Sequence, residues 1–456
     1  MRNKFTSYLL IILVIVTVIR FYIIFIKKNP DIKLGFFSGT SVIQDESDIR
    51  ETNQKLTVEI FTPQSRTFGS LKDRPFPVKI LITTDLFTDY KYGDEIKFSG
   101  MLEKPDNFET DQGKIFDYIN YLKKDGIYFL MKNPKIEILS RGNGNFLKSI
   151  LFSAKEKFLE KMNRAIPEPE SLLMGGLILG EKSSFSQALR QSFVNTGTIH
   201  IVALSGYNVT IVAEWIMKIF GAIYFVPKNF GIGMGIFSIV LFVLMTGGSS
   251  TAIRAGIMAV LALYARATGR NYDAGRALLF AGIIMILINP LLLVYDVSFQ
   301  LSFLATIAVI FLSPKLEEYF YWIKWAWLRD IVCVTFSAYV FVTPFILYQM
   351  GNLSVIALPA NILILPFIPL TMILGFITGF LGLIFFSLAI PFGYISYAFL
   401  HYELGAIAFF SNLPFASFTI PNFPLILVIL IYLFFFYKLF WKSIKKWLKT
   451  NFFSAA

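Results

Sequence analysis

Cysteine and histidine are almost missing from this sequence. Cys333 is the single cysteine in 456 residues, and His200 and His401 are the two histidines. One cysteine cannot form an intrachain disulfide or a cysteine-based zinc site. Two histidines cannot supply the dense cluster that a metal-dependent nuclease needs. The sequence therefore predicts no bound metal and no cofactor.

Charged residues are also scarce. They make up 16% of the chain, whereas hydrophobic residues make up 55%. A soluble domain has about 25% charged residues, so this chain has too few to cover a water-facing surface of its size. The shortage is uneven, because residues 31–145 are rich in Lys, Asp and Glu and residues 199–443 are mostly apolar. We expect a membrane protein with one small water-facing domain.

Long apolar runs support this expectation. A transmembrane helix needs about 20 apolar residues, and the first such run covers residues 9–26. Others lie near residues 199–221, 230–247, 252–268, 276–293, 299–313, 331–349, 353–371, 372–390, 393–411 and 424–442. The shorter run 171–180 is interpreted as a re-entrant segment. The pattern predicts a polytopic α-helical membrane protein.

Basic residues beside these runs predict the orientation of the chain. Arg2 and Lys4 precede the first run, and five lysines follow the last one, namely Lys438, Lys442, Lys445, Lys446 and Lys449. By the positive-inside rule both termini are cytoplasmic. Run 9–26 is then an anchor, because no small-residue cleavage site of a signal peptide follows it. The net charge of +12 is assigned to contact with anionic lipids, with a nucleic acid as the alternative.

The water-facing part shows the period-two alternation of short strands. Five strands are predicted at residues 55–62, 78–83, 95–99, 126–130 and 135–139, with a helix at 115–124. Five strands with a helix between the third and fourth match the order of an OB-fold. Such folds bind single strands on aromatic platforms; the candidates are Phe61, Phe76, Phe98, Tyr128 and Phe129, with Lys79 and Lys97. The alternative is that these aromatics form the core of the barrel.

Residues 195–209 contain an unusual group of polar residues inside an apolar run. If the segment is one helix, His200 and Asn208 lie on the same stripe. Ser205 and Gly206 are instead suited to break the helix and expose backbone groups to a water-filled path. The alternative is that these small and polar residues only join neighbouring helices.

Residues 246–256 resemble an anion site at the start of a helix. Gly247 and Gly248 form a flexible loop, and Ser250 or Thr251 is expected to cap the helix. Free N–H groups at such a helix start suit a phosphate. Arg254 opposes the helix dipole in the first turn, so we expect an anion to compensate it. The alternatives are that Arg254 reaches lipid phosphates or pairs with Asp296.

Two further polar groups lie at membrane depth. Ser298, Ser302 and Thr306 recur every fourth residue after Asp296, and Gln300 belongs to the same helix. Such a stripe packs closely or lines a pore. Asn361 lies between Pro359 and Pro366, and broken helices in the bilayer often mark a translocation site.

A catalytic triad of His200, Ser205 and Asp296 is a weaker hypothesis. Positions 200 and 205 would lie about 140° apart on one regular helix. The sequence also has no Gly-x-Ser-x-Gly elbow. Catalysis is therefore not predicted.

These segments together resemble the ComEC family of competence proteins. The similar segments are GDEI at 93–96, FDYINYLKKDGI at 116–127, HIVALSG at 200–206, MTGGSSTAIRA at 245–255, FQLSFLA at 299–305 and the Asn361 region. Where the family usually has Gly-Leu-His-Val, this chain has Asn208 in place of the histidine. Many relatives also carry a C-terminal metallo-β-lactamase-like domain, which this short form is expected to lack, so any nuclease would be a separate protein.

The resemblance implies a channel for uptake of single-stranded DNA across the cell membrane. It implies four parts: an anchor at 1–30, an extracytoplasmic OB-like domain at 31–145, an amphipathic interfacial helix and linker at 146–170, and a membrane domain at 171–456. The predicted DNA path is His200, Ser205, Gly206, Asn208, Arg254, Asp296, Gln300, Ser302 and Asn361, with Gly247, Gly248, Ser250 and Thr251 as a phosphate-binding helix start.

The same resemblance implies a set of partners. No ATP-binding Gly-x-x-x-x-Gly-Lys-Ser/Thr motif occurs, so a cytoplasmic ATPase, and also a DNA receptor, are expected as separate proteins. Anionic lipids and a second copy of the chain in a homodimer are the other expected partners. Two other functions stay open: a small-solute or lipid-precursor transporter, and an intramembrane hydrolase.

Overall fold

The structure is a computed structural model that describes residues 34–61, 77–110, 113–181, 185–202, 204–222 and 228–452, together with Val16, Arg20 and Tyr22. The expected anchor at 1–30 lies outside the described residues, apart from those three. Nine strands form the N-terminal domain with one short helix. They are β1 Gly35–Val42, β2 Asp48–Ile49, β3 Gln54–Phe61, β4 Pro77–Thr84, β5 Glu95–Glu103, β6 Phe108–Glu109, β7 Ile115–Phe116, β8 Ile127–Lys132 and β9 Lys135–Ser140; helix α1 is Tyr118–Lys123.

The main sheet of this β domain has the order β1-β5-β8-β4-β3-β2, and β9 also pairs with β5. The β4–β8 pairing is parallel, while β1–β5, β3–β4 and β5–β8 are antiparallel. A bridge between Ile43 and Val58 connects the end of β1 to β3. Each strand of the series β1, β5, β8, β4 and β3 therefore has a neighbour on both sides, which leaves few free edges.

Alternating side chains explain this sheet. Ile80 and Ile82 of β4 are fully buried with Phe98 and Phe129, which are 0% and 1% exposed. The five predicted strands are confirmed: nine of their ten ends agree within two residues, and β5 extends four residues further. Strand β1 was missed because GFFSGTSV carries little hydrophobic alternation. Phe98 and Phe129 belong to the core, so they cannot serve as a binding platform. Phe76 and the side chain of Phe61 lie outside the described residues.

The rest of the described chain is mainly helical, with one antiparallel pair of short strands, β10 Asn352–Ser354 and β11 Ser417–Thr419. The helices are α2 Phe146–Ala165, α3 Glu170–Leu179, α4 Gln187–Asn195, α5 Ile199–Val202, α6 Gly206–Ala222, α7 Lys228–Met245, α8 Ser250–Ala267, α9 Ala274–Ile288, α10 Leu292–Tyr295, α11 Val297–Ile307, α12 Ser313–Leu316, α13 Ala326–Met350, α14 Ala357–Ile364, α15 Ile368–Ile384, α16 Phe386–Ser411 and α17 Leu425–Phe452. A π-helical turn, Ala308–Leu312, connects α11 to α12.

Length and composition identify two membrane-spanning candidates among the described helices. They are the continuous segment Val297–Leu316 and helix α13, and the pair α14–α15 makes a third if it is one bent span. The axes of α14 and α15 differ by 46°. Pro366 follows the end of α14, and a proline disfavours helical backbone in the residue before it. The break predicted at the Asn361 segment is therefore present.

Helix α2 packs against α15 and α16 rather than standing apart from the bundle. Phe158 is buried and meets Gly379 of α15, while Ala165 meets Gly393 of α16. Small residues at these two crossings let the helices approach closely. The expected position of α2 in the membrane interface stays a prediction.

Polar contacts dock the β domain on the helices. Lys155 of α2 is 2% exposed, and its Nζ lies 2.6 Å from Glu46 Oε2. At the end of α1, the carbonyl of Lys124 accepts from Asn289 Nδ2 at 2.8 Å. Lys124 Nζ lies 4.0 Å from Asp296 Oδ2. These contacts fix the β domain above the start of α11.

Candidate functional site

A cavity of about 2950 Å³ lies between the β domain and the helices. Its wall includes parts of α5, α6, α8, α11, α13 and α14, together with α1 and the loop after β1. Twelve of the thirteen residues predicted for the DNA path and the helix start line it; they are His200, Ser205, Gly206, Asn208, Gly247, Gly248, Ser250, Thr251, Arg254, Asp296, Ser302 and Asn361. The tertiary structure thus brings together segments that are far apart in sequence.

The break in the first segment lies where the sequence suggested. Helix α5 ends at Val202 and α6 begins at Gly206. Ser205 Oγ accepts from Asn208 N at 3.2 Å, as a helix-capping side chain does. His200 lies on α5, before the break, and its Nδ1 is 3.2 Å from Gly197 O. His200 and Asn208 therefore do not share one continuous helix.

Asn208 joins two helices. It is 2% exposed, and its Nδ2 donates to Leu177 O of α3 at 3.1 Å. Ser205 Oγ donates to Asn208 Oδ1 at 3.0 Å. The amide of Asn208 is sufficient for both hydrogen bonds, because its oxygen accepts one and its nitrogen donates the other. This arrangement favours the alternative in which the polar residue joins neighbouring helices.

The start of α8 differs in detail from the prediction. Gly247 and Gly248 have φ of +79° and +60°, in the left-handed region that favours glycine. The cap is Ser249, whose Oγ accepts from Ala252 N at 3.3 Å, and not Ser250 or Thr251. Ser250 Oγ instead donates to Asp296 Oδ2 at 2.6 Å. Thr251 Oγ1 donates to Leu204 O at 3.1 Å, across the break before α6.

Asp296 connects three parts of the molecule. Its Oδ1 accepts from Phe299 N at 3.1 Å, which caps α11, while its Oδ2 accepts from Ser250. Lys124 brings a cation to the same carboxylate. Burial opposes the charge on Lys124, but the attraction of Asp125 and Asp296 outweighs it, so the pKa of Lys124 is raised. We expected a phosphate at the start of α8, but the carboxylate of Asp296 already lies there.

Arg254 is a buried cation in the cavity wall. It is 7% exposed, and its Nη1 donates to Ser302 O at 2.8 Å. Its Nε has no hydrogen-bond partner, and no Asp or Glu among the described residues forms an ion pair with it. A Cβ on Gly206 would overlap Arg254 Nη2, so only glycine leaves room for the guanidinium. The pairing with Asp296 that one alternative proposed does not occur.

The polar stripe of α11 faces the cavity, but Gln300 does not. Ser298, Ser302 and Thr306 line the wall together. Gln300 Nε2 donates to the carbonyls of Leu293 and Val294 at 2.8 and 3.0 Å, at the end of α10. Gln300 therefore satisfies backbone groups that the short helix α10 leaves open.

Asn361 reaches the cavity from α14. Its Nδ2 donates to Ala357 O, one helical turn earlier, at 2.7 Å. Its Oδ1 is buried without a hydrogen-bond partner among the described residues. An unsatisfied amide oxygen is unusual in a packed interior. Asn361 is therefore a second buried polar residue in the cavity wall whose hydrogen bonding is incomplete.

The three candidate triad residues are engaged elsewhere. Ser205 bonds to Asn208, His200 to the Gly197 carbonyl, and Asp296 to Ser250. No hydrogen bond joins Ser205 to His200 in the described part of the chain. The described residues also contain no group of three His, Cys, Asp or Glu side chains that could hold a metal.

Sequence reasoning missed the contribution of α1. Tyr118, Tyr121 and Lys124 line the cavity from the β domain. The two rings are 6.3 Å apart and inclined by 16°, and Lys124 Nζ lies 4.7 Å from the centre of the Tyr121 ring. Spacings of three on a helix place these side chains on one face. That spacing was visible in the sequence, but the side of the domain it faces was not.

Comparison with known proteins identifies the family. The family model described as Competence protein matches residues 177–445. ComE operon protein 3 of Bacillus subtilis (strain 168) is 26% identical over 301 residues, which are 66% of this chain and 37% of that protein. The chain thus spans well under half the length of that relative, and no solved structure shows a significant match. Because the family model covers more than half of the 456 residues, the chain belongs to the Competence protein family.

Proposed function

We propose that this protein takes part in competence DNA uptake as a channel for single-stranded DNA across the cytoplasmic membrane. The carrying observation is Arg254, a buried guanidinium without a carboxylate partner in the wall of the cavity. An isolated buried charge is costly, and a phosphate of the passing strand would compensate it. The backbone of a strand supplies such a phosphate at every nucleotide.

The membrane arrangement belongs to the same proposal. The apolar helices cross the membrane several times, both termini are cytoplasmic, and the OB-like β domain lies outside. The nearly complete ring of strands in the β domain supports the OB-like assignment. The strand would reach the cavity past Tyr118 and Tyr121, and pass between α6, α8 and α11 towards the cytoplasm.

Separate proteins complete the process in this proposal. A cytoplasmic ATPase pulls the strand, a receptor delivers the DNA, and a separate nuclease removes the other strand. Anionic lipids contact the basic residues of α17, among which Lys438 is exposed. A homodimer is the proposed assembly.

A second function, transport of a small solute or a lipid precursor, also has support. Carboxylates such as Glu214, Asp296 and Asp330 line the same cavity. They are about as frequent along the wall as cations, which suits a zwitterionic or small solute better than a polyanion. Family membership favours DNA over this alternative.

The test compares two arginines in naturally transformable cells. Arg254→Ala removes the buried cation, whereas Arg276→Ala removes an arginine whose side chain is 88% exposed and pairs with Asp273. We expect uptake of labelled single strands to fall at least tenfold in the first variant and to stay at the wild-type level in the second. Membrane abundance of each variant is measured in parallel.

Arg254→Lys refines the same test. Lysine retains the charge but not the planar guanidinium whose Nη1 donates to Ser302 O. Partial uptake would agree with phosphate compensation. Full uptake by Arg254→Ala, at normal abundance, would remove the basis of the DNA channel and leave the solute transporter.

A further inference from the structure

The helices α15 and α16 share a buried polar seam. Thr371 Oγ1 lies 2.6 Å from Glu403 Oε1, and Thr378 Oγ1 lies 3.2 Å from Ser396 Oγ. The two pairs are seven residues apart on each helix, which is two helical turns. All four side chains are 0% exposed. None of them lines the cavity, and the proposed DNA path does not use them.

Glu403 has no compensating charge. The described residues contain no ion pair to it, and its Oε2 has no hydrogen-bond partner. Helices α14 and α15, which pack beside it, contain no charged residue. On α3, Glu170 pairs with His401 at 2.8 Å. The remaining charged groups on neighbouring helices are Arg190 of α4 and the basic and acidic residues of α2, such as Lys161 and Glu160.

The hydrogen bonds of Thr371 favour a protonated Glu403. The Thr371 hydroxyl has one hydrogen, and its Oγ1 lies 3.0 Å from Phe367 O, one turn earlier in α15. Threonines in helices commonly donate to that carbonyl. The 2.6 Å contact then needs its hydrogen from Glu403, and that distance is normal for O–H···O. If Thr371 instead donated to Glu403, the carboxylate would be ionised and buried with that hydroxyl as its one hydrogen-bond donor, which is costly.

We propose that Glu403 is a proton-binding site in the membrane bundle, occupied at neutral pH, and that its proton holds α15 against α16. The carboxylic acid donates to Thr371 and keeps the seam uncharged. Loss of the proton places an uncompensated negative charge between two helices whose other polar contact here is the pair of hydroxyls Thr378 and Ser396. The bundle would then open at this seam, or water would enter it.

Infrared spectroscopy of the full chain in lipid nanodiscs at pH 7 tests the proposal. The spectrum of wild type minus Glu403→Gln should contain the C=O stretch of a protonated carboxylic acid. The same difference for Glu318→Gln, an exposed glutamate near α12, should contain carboxylate bands instead. A carboxylate band for Glu403 would overturn the proposal.

Thr371→Val provides a second measurement if Glu403→Gln fails to fold. Valine has nearly the shape of threonine but accepts no hydrogen bond. We expect the carboxylic acid band of Glu403 to move to higher frequency in this variant, because the O–H loses its acceptor. A variant spectrum in which that band is unchanged would show that Glu403 does not donate to Thr371. Neither outcome depends on DNA uptake, so the proposal stands or falls separately from the DNA channel.

Discussion

At the scale of single residues, Gly206 lies directly against the guanidinium of Arg254. A methyl group there would meet Arg254 Nη2, while its other neighbour, Ala255 Cβ, is at an ordinary distance of 3.8 Å. The glycine is therefore explained by one side chain and not by backbone strain. Its function in the molecule is to admit a guanidinium.

Gly206→Ala should reproduce the effect of Arg254→Ala on DNA uptake. The methyl displaces the guanidinium, at a cost in stability of about 1–3 kcal/mol. Uptake per folded molecule should fall at least tenfold, and the double variant should lose no more than either single one, because both changes remove the same interaction. Gly405→Ala is the control, since a Cβ added at that position in α16 would have no neighbouring atom within 4 Å. Independent, additive losses would contradict the shared role.

Asn208→Ala should destabilise the protein by about 1–3 kcal/mol, because it leaves Leu177 O and the Ser205 hydroxyl without a buried partner. Asn208→His should cost less, since an imidazole also donates to the carbonyl. Thermal unfolding in detergent measures both. If the histidine variant is the less stable of the two, the role of position 208 is not the hydrogen bond to α3.

At the scale of elements, α1 contributes two tyrosines to the cavity wall, and in the proposed channel they would meet an entering strand. Tyr121 lies under Lys124 and beside Tyr118, so a base that enters here meets a ring and a cation together. The hydrophobic neighbours of these rings, such as Leu122, are buried and hold α1 in place. Tyr118 and Tyr121 pack against the same cluster, so the side chains that anchor α1 also line the cavity.

Tyr121→Ala should weaken binding of a short single strand to the full chain. Stacking on one aromatic contributes about 1–3 kcal/mol per base, so we expect the Kd to rise by about one to two orders of magnitude. Phe87→Ala is the control, because Phe87 is 95% exposed on the β domain but does not line the cavity. Fluorescence anisotropy with a labelled oligonucleotide gives both values. Equal effects of the two variants would exclude a stacking role for α1.

At the scale of the whole molecule, the positive charge and the cavity are separate. The chain carries a net charge of +12, but carboxylates accompany the cations along the cavity wall. If a DNA strand binds in the cavity, its wall can therefore neutralise only a few of the phosphates. Other basic residues of the described chain lie outside this wall, as Arg276 and Lys438 do.

Single-strand binding to the full chain should therefore depend only weakly on salt. The slope of log K against log salt is about −0.7 for each phosphate neutralised on a single strand, and we expect a slope of about −2 or shallower. Arg254→Ala should reduce its magnitude by about 0.7, and Arg276→Ala should leave it unchanged. A steep slope that ignores Arg254 would place the DNA on an outer basic surface.

The sequence by itself determined the local features of this protein. The strands β3, β4, β5, β8 and β9 follow from side-chain alternation, and the breaks before Gly206 and after Ile364 follow from Ser, Gly and Pro. Each of these signals is contained within a few neighbouring residues. Of the thirteen candidate residues that the sequence predicted, twelve line the cavity.

Only the tertiary structure decided which partner each polar group meets. Ser249 rather than Ser250 caps α8 because Ser250 is drawn to Asp296, 46 residues away. Gln300 turns to α10, and α1 turns its tyrosines towards the helices, for reasons that lie in contacts distant in sequence. A buried polar group takes whichever partner the packing brings within hydrogen-bonding distance, and no local pattern records that choice.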